Sequence, residues 1–314
     1  MIIKLRTRHF ITVVCLVTAM VSFSSCRPAG RSAFDRHKIR VVTTLFPLYD
    51  MARNIGAEKA EVSLLLPPGV EAHSFEPKPG DIVKINEADI FIYTGKFMEP
   101  WAEPIIEGAA NKNLIVVDAS LGTKKISTAA DVKGEQPVSP DPHIWLDFDN
   151  AKIMLGNILE AFREKDSAGK NFYDRKAADY INRLTELDSA YINTLATCKS
   201  REIIYAGHYA FGYLAARYRL KYMAAQGASP DAEPTARDLA KLVDQIRKDK
   251  IRYIFYEELS SPKIAETVAG ETHAKMLLLN AAHNLPRDQF EKGVSFLDIL
   301  KADLDNLATG LDCR

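Results

Sequence analysis

The chain has 314 residues, 47% hydrophobic and 26% charged, which is the composition of an ordinary soluble protein with room for two domains. Lysine plus arginine and aspartate plus glutamate both number 41, so the formal net charge is zero. A protein that binds nucleic acid through its phosphates needs a basic surface, and no long basic run occurs after the first eight residues. The sequence therefore predicts no nucleic-acid partner.

The first 25 residues are predicted to be a signal peptide. Basic residues precede an apolar run at 10–23, which is shorter than the about 20 apolar residues that cross a bilayer. Small residues then precede Cys26, a pattern that resembles a bacterial lipobox, although Phe23 stands where leucine is usual. Cleavage would leave Cys26 as the lipidated N-terminus of a membrane-anchored protein. The alternative is a secreted protein in which Cys26 has no special role.

After a predicted flexible tether at 26–37, short apolar runs alternate with segments of helical spacing. Continuous apolar strands that alternate with helices are typical of parallel sheets covered on both faces. Four strand–helix units precede a break and four follow it, which predicts an α/β protein with two (βα)4 domains, each built on a four-stranded parallel sheet. The predicted strands lie in 39–45, 62–66, 89–93, 114–118, 202–207, 220–225, 252–257 and 275–280. The predicted helices include 48–55, 81–88, 235–249 and 262–272.

The break itself is predicted to be a long helix at 171–197, because no proline or glycine interrupts it. Apolar side chains recur every three or four residues along this segment and form one helical stripe. They are Tyr173, Ala177, Tyr180, Leu184, Leu187, Tyr191 and Leu195. We predict an N-terminal domain at 38–165, a linking backbone helix at 166–198 and a C-terminal domain at 199–314, with a surface loop at 123–142.

Histidines follow four of the predicted strands. His73 and His143 come after strands of the first set, and His208 and His283 come after strands of the second. Parallel strands end at the same edge of a sheet, which is where open α/β sheets bind ligands. If the two domains face each other, these histidines meet in the cleft between them.

Three converging imidazoles favour a transition metal. Neutral imidazole suits zinc, copper, iron or nickel, whereas hard cations such as calcium prefer oxygen. A zinc site with three histidines takes a fourth donor as well. His9 in the signal peptide, His37 in the tether and His273 in a turn are predicted to have no such role.

Five motifs resemble those of the metal-binding lipoproteins of ABC transporters for zinc and manganese, the cluster A-I solute-binding proteins. The motifs lie at 43–55, 66–81, 141–147, 207–218 and 255–269. The resemblance covers nearly the whole mature chain and implies two (βα)4 domains joined by a long backbone helix, with the metal held between them.

The resemblance also implies the function and the partners. The metal ligands would be His73, His143 and His208, and the protein would capture the ion and deliver it to an ABC permease driven by an ATPase. It would be a monomer without enzymatic activity, anchored in the cell envelope with its domains on the periplasmic or extracytoplasmic side.

The identity of the metal and its fourth ligand depends on two positions. In the zinc-binding branch that this chain resembles, the third ligand is histidine, as at His208, whereas manganese binders have glutamate there; nitrogen donors also favour zinc. Zinc is therefore predicted, with manganese or iron as the alternative. The family's usual fourth ligand is aspartate, but Asn280 stands there, so His283, Asn280, Glu257 and water remain open. Because histidines are neutral, a supporting carboxylate is expected from Asp147 or Glu257.

The sequence leaves two other functions and one disulfide bond open. A zinc hydrolase would need a general base, for which Glu257 is the candidate, but the usual hydrolase motifs do not occur. An adhesin lipoprotein is the other alternative. Cys198 and Cys313 would remain in the mature chain, in a compartment where they could form a disulfide.

Overall fold

The computed structural model describes residues 38–127, 140–227 and 234–314 and confirms the predicted α/β architecture with two four-stranded parallel sheets. The first sheet has the strand order β2-β1-β3-β4, and the second repeats it as β6-β5-β7-β8. The first four strands are β1 Ile39–Thr43, β2 Ala60–Leu64, β3 Ile90–Tyr93 and β4 Ile115–Asp118. The second four are β5 Glu202–Ala206, β6 Lys221–Ala224, β7 Tyr253–Tyr256 and β8 Lys275–Leu278.

Helices connect the strands and cover both sheets. In the first half these are α1 Phe46–Gly56, α2 Pro79–Glu87, α3 Ala102–Glu107 and α4 Phe148–Lys165, followed by the long α5 Lys170–Ala196. In the second half they are α6 Gly212–Tyr218, α7 Ala236–Asp249, α8 Lys263–Thr272, α9 Arg287–Glu291 and α10 Phe296–Gly310. Three short 3₁₀ turns lie at Ala57–Lys59, Ile144–Leu146 and Ser167–Gly169.

The strands are apolar at consecutive positions because each sheet is buried on both faces. In β1, Val41 belongs to the large core that both halves share, whereas Val42 belongs to a smaller cluster on the other face. The same alternation occurs in β5, where Ile203 faces the shared core and Ile204 faces a separate cluster with Ile254. This arrangement confirms the expectation drawn from the continuous apolar runs.

The long helix α5 is present as predicted, but one position of its apolar stripe differs. Leu187 is only half-buried, and the adjacent Asp188 takes the buried place. A carboxylate is tolerated there because Arg217 pairs with it at 2.6 Å and the Tyr218 hydroxyl donates to it at 2.8 Å. Periodicity alone does not reveal such a pair, since its partners come from another helix.

A disulfide joins Cys198 to Cys313 across a sequence separation of 115 residues. Cys198 follows the end of α5, and Cys313 follows the end of α10. The bond therefore joins the start of the second half of the chain to its end. The sequence had left open whether these two cysteines pair.

Residues Ile39–Arg314 form one compact unit, so the two sheets are not separated within it. The domain boundaries at 165 and 198 remain predictions. The predicted signal peptide, the tether and the lipidated Cys26 lie outside the described residues, as does most of the predicted surface loop. Among the helices of residues 38–127, 140–227 and 234–314, none is long and apolar enough to cross a membrane.

Replacing Cys198 and Cys313 with serine is expected to lower the free energy of unfolding by about 2 to 5 kcal/mol, because the bond restricts a long loop in the unfolded chain. Urea titration of the variant and the oxidised protein measures the difference. A reductant should destabilise the wild type and leave the double variant unchanged. Equal urea midpoints for the two proteins would contradict this expectation.

Candidate metal centre

Three histidines predicted as ligands meet at the carboxyl ends of the strands. His73 lies in the loop after β2, His143 lies directly before the 3₁₀ turn that leads to α4, and His208 follows β5. The Nε2 atom of His143 lies 3.2 Å from that of His73 and 3.1 Å from that of His208. His143 and His208 are fully buried, and His73 is partly buried. The sequence placed these three residues together correctly.

Two of the histidine loops share a local turn in which a carboxylate holds the histidine two residues later. Asp141 Oδ1 accepts a hydrogen bond from the backbone N–H of His143 at 3.0 Å, and Glu71 Oε1 accepts one from the N–H of His73 at 3.0 Å. Sequence reasoning missed both carboxylates. The signal was available, because an acidic residue stands two positions before the histidine in each motif.

Carboxylates lie behind two of the imidazoles, and the one behind His143 forms a hydrogen bond with the ring. Asp141 Oδ1 lies 2.8 Å from Nδ1 of His143, and Glu257 Oε1 lies 2.6 Å from Nδ1 of His208. When Nδ1 carries the proton that faces a carboxylate, the neutral ring has a bare lone pair at Nε2. The two Nε2 lone pairs of His143 and His208 then face each other, and a cation between them would satisfy both.

Burial keeps the imidazoles of His73 and His143 in their neutral form. Burial, together with the neighbouring histidines, lowers the pKa of His73 to about 2 and holds the pKa of His143 well below its usual value. Burial also raises the pKa of Asp141 to about 7. Neutral imidazole is the form that binds a metal, so the site does not have to lose protons from these rings at neutral pH.

A second group of possible ligands lies beside the first and contains Glu71, Glu257 and His283. The His283 ring lies 5.8 Å from that of His208 and 6.0 Å from that of His73, measured between ring centres. Its Nε2 atom is 3.8 Å from Glu71 Oε2. His283 is fully buried, and neither ring nitrogen has a hydrogen-bond partner within the described parts of the chain.

Asn280, the other candidate for the fourth ligand, shapes the turn that carries His283. Its side-chain oxygen accepts a hydrogen bond from the backbone N–H of Ala282 at 2.7 Å. The backbone N–H of Asn280 donates to a carboxylate oxygen of Asp303 at 2.8 Å. Ala282 has a φ of 59°, a left-handed conformation that is costly for a residue with a side chain. The hydrogen bond that Asn280 accepts from Ala282 stabilises this conformation.

Asp147 is the wrong carboxylate for the supporting role. It caps the N-terminus of α4, where its side chain accepts hydrogen bonds from the N–H groups of Asp149 and Asn150. It also pairs with Arg217 at 3.3 Å. Asp141 takes the role expected of Asp147, whereas Glu257 lies beside His208 as expected. His273 lies in the left-handed turn after α8, as its sequence context predicts.

The loop after β8 joins the other histidine loops across the two halves. The indole of Trp145 donates to the carbonyl oxygen of Ala281 at 2.7 Å. The side-chain amide of Asn284 donates to the carbonyl oxygens of Pro67 and Val70, both at 2.8 Å. The loops of His73, His143 and His283 are thus fixed to one another by buried hydrogen bonds. Sequence reasoning missed Trp145 and Asn284 because their partners are distant in the chain.

Two parallel sheets that present neutral histidines to one another define a metal-binding protein of the two-sheet α/β type. The chain belongs to the ZnuA family, described as zinc-uptake complex component A, periplasmic, whose model matches residues 41–310. Among the curated relatives, the high-affinity zinc uptake system protein ZnuA of Bacillus subtilis (strain 168) is 34% identical over 96% of each chain.

Solved structures of related proteins share the fold. The Zn(II)-bound ZnuA-like domain of AdcA from Streptococcus pneumoniae is 31% identical, with a TM-score of 0.75 over 88% of this chain and 99% of that domain. This chain spans 56% of the full-length AdcA lipoprotein. The laminin-binding protein Lmb of Streptococcus agalactiae, described as bifunctional with adhesin and metal-transporting activity, is 29% identical, with a TM-score of 0.78 over 87% of this chain and 99% of that one.

Gly212, the first residue of α6, lets that helix approach Asp141. A Cβ atom at this position would lie 2.8 Å from Asp141 Oδ2, which is buried, and 2.8 Å from the ring of Tyr209, which is partly exposed. We therefore expect Gly212→Ala to displace Asp141 from His143 and to weaken metal binding by about 10- to 100-fold, the usual cost of losing a supporting partner. Gly80→Ala in α2 is the matched control, because no atom lies within 4 Å of its added Cβ. Equal zinc affinities for the two variants, measured by competition with a chelator, would contradict the role given to Asp141.

Proposed function

We propose that this protein captures zinc between its two sheets through His73, His143 and His208 and delivers it to an ABC permease for uptake. The observation that carries the proposal is the approach of the Nε2 atoms of His143 and His208 to 3.1 Å in a buried site. Two facing lone pairs repel each other in a medium of low dielectric constant, and a cation turns that repulsion into attraction.

The donor set supports zinc over manganese. Three imidazole nitrogens suit zinc, whereas manganese prefers carboxylate, carbonyl and water oxygens. The spacing supports the same choice, because tetrahedral zinc with bonds of about 2.0 to 2.1 Å has ligand–ligand edges of about 3.3 Å. The two short Nε2–Nε2 distances in the cluster, 3.2 and 3.1 Å, are close to that value.

His283 is the proposed fourth ligand. It is buried next to His73 and His208 and has two ring nitrogens without hydrogen-bond partners in the described residues. Asn280 is less suitable because its side-chain oxygen already accepts a hydrogen bond from Ala282. Glu71 is the second candidate, since its carboxylate lies in the same group as His283.

Nearby carboxylates supply the negative charge that four neutral imidazoles lack. Asp141 and Glu257 lie behind His143 and His208, and Glu71 lies beside His283. Such partners raise the basicity of the ligands and offset the charge of a dication. Glu257 is buried behind His208, on the side of the ring away from the other histidines, which disfavours its use as the general base of a hydrolase. The absence of an enzymatic step is part of the proposal.

The cellular setting follows from the family and the predicted leader. We propose that Cys26 carries the lipid anchor, that the folded part lies on the periplasmic or extracytoplasmic side of the envelope, and that a permease and its ATPase are the partners. The family description as a periplasmic zinc-uptake component supports this setting. The protein would act as a monomer.

Purified protein is expected to bind one zinc ion tightly, and His143→Ala and His208→Ala are each expected to weaken binding by more than about 100-fold, since even supporting partners cost 10- to 100-fold. His273→Ala is the control, because that histidine lies in a turn after α8. Zinc content by mass spectrometry and affinity by chelator competition provide the measurement. Tighter binding of manganese than zinc, or full affinity after loss of His208, would show that the assignment is wrong.

His283→Ala is expected to weaken zinc binding by at least about 10-fold, because zinc sites of this type need four donors. Asn280→Ala should have a smaller effect, limited to the turn that it supports. Glu71→Gln tests the second candidate. If Asn280→Ala or Glu71→Gln causes a larger loss than His283→Ala in the same chelator competition, His283 is not the fourth ligand.

A further inference from the structure

The short helix α6 carries two residues that reach across to the first half of the molecule. Tyr213 and Arg217 are four residues apart, so they lie on the same side of the helix. The helix begins four residues after His208, and the segments that it contacts flank His143. These contacts therefore link the loops of two proposed ligands.

Tyr213 holds the segment immediately before His143. Its hydroxyl donates to the carbonyl oxygen of Asp141 at 3.0 Å and accepts a hydrogen bond from the N–H of Ile126 at 3.2 Å. The side chain of Asp141 in turn orients the His143 ring. Tyr213 is fully buried, so its hydrogen bonds are shielded from water.

Arg217 holds the segment immediately after His143. Its guanidinium lies 2.7 Å from a carboxylate oxygen of Asp149 and 3.3 Å from one of Asp147, at the start of α4. It also binds Asp188 of the long helix α5 through two nitrogens, at 2.9 and 2.6 Å. The side chains of Arg217 and Asp188 are only 17% and 10% exposed. The bidentate pair with Asp188 is therefore more rigid than an isolated surface ion pair, whereas Asp149 on the α4 side is 67% exposed.

We infer that Tyr213 and Arg217 are positioning residues that hold His143 and His208 together as a preformed pair before the metal arrives. The inference rests on the proposed function and adds residues that do not touch the metal. A preformed pair loses little conformational freedom on binding, which favours tight capture and slow release. His73, which is less buried and lies in a separate loop, then completes the set.

The test compares Arg217→Met with Arg163→Met. Arg163 pairs with Glu160 and with Asp174 of α5, so it also joins α4 to α5, but these partners do not involve α6. Arg217→Met is expected to speed zinc dissociation by about 10- to 100-fold, the range seen when partners around a metal site are lost. Arg163→Met is expected to stay within twofold of the wild type. A stopped-flow experiment with excess chelator measures both rates.

A second pair of variants changes fewer atoms, so the inference can still be tested if Arg217→Met does not fold. Tyr213→Phe removes only the hydroxyl, and its control is Tyr173→Phe, whose hydroxyl bonds Asp166 within the first half. Faster dissociation from Tyr213→Phe than from Tyr173→Phe supports the inference. The visible spectrum of bound cobalt should also change for Tyr213→Phe alone.

Two outcomes would overturn the inference. One is equal dissociation rates within each matched pair. The other is a lower melting temperature of the metal-free variants with an unchanged dissociation rate, which would make the cluster a structural brace only. Zinc binding by the wild type, and its loss in His143→Ala, are measured first. Failure at that stage would reject the proposed function, whereas failure of the matched comparison would reject the positioning role alone.

Discussion

The approach of two buried imidazole nitrogens, Nε2 of His143 and Nε2 of His208, is the constraint on which the centre depends. Each ring has a carboxylate oxygen near its Nδ1 atom, which favours the tautomer that carries its lone pair at Nε2. In that tautomer the two lone pairs repel each other, and the surrounding fold offsets the repulsion until a cation binds. The shared hydrophobic core, the long helix and the buried hydrogen bonds between loops provide this rigidity. The histidines of the proposed site are therefore held in position by contacts that do not require a metal.

The two halves are joined most closely where the histidine loops meet. The loop after β8 accepts a hydrogen bond from Trp145, and Asn284 of that loop donates to the backbone before His73. All of these contacts are internal to one compact unit. A flexible linker would have allowed the sheets to separate, whereas the uninterrupted helix α5 and these bonds favour small movements of individual loops.

The parts of the structure that depend on local patterns were predictable from the sequence. Continuous apolar runs predicted the strands, and the histidines after them predicted the three-histidine cluster. Errors arose where a partner comes from a distant segment. The burial of Asp188 was not predicted because its partner Arg217 lies on another helix. Asp147 was a candidate for the supporting carboxylate, but it caps the start of α4, and Asp141 was not considered. The contacts of Trp145 and Asn284 could not be found from spacing at all.

Tight capture requires ligands that are held in place, whereas release requires that at least one ligand can move. The unequal burial of the histidines is compatible with both requirements. His143 and His208 are fully buried and are held on two sides, whereas His73 lies in a loop and is less buried. A rigid pair keeps the entropic cost of binding low. The ion can leave only when a ligand moves, and the ligand with the least surrounding structure moves at the lowest cost. If the three histidines bind zinc as proposed, we expect His73 to move first when the ion is released, because it is the least buried of the three.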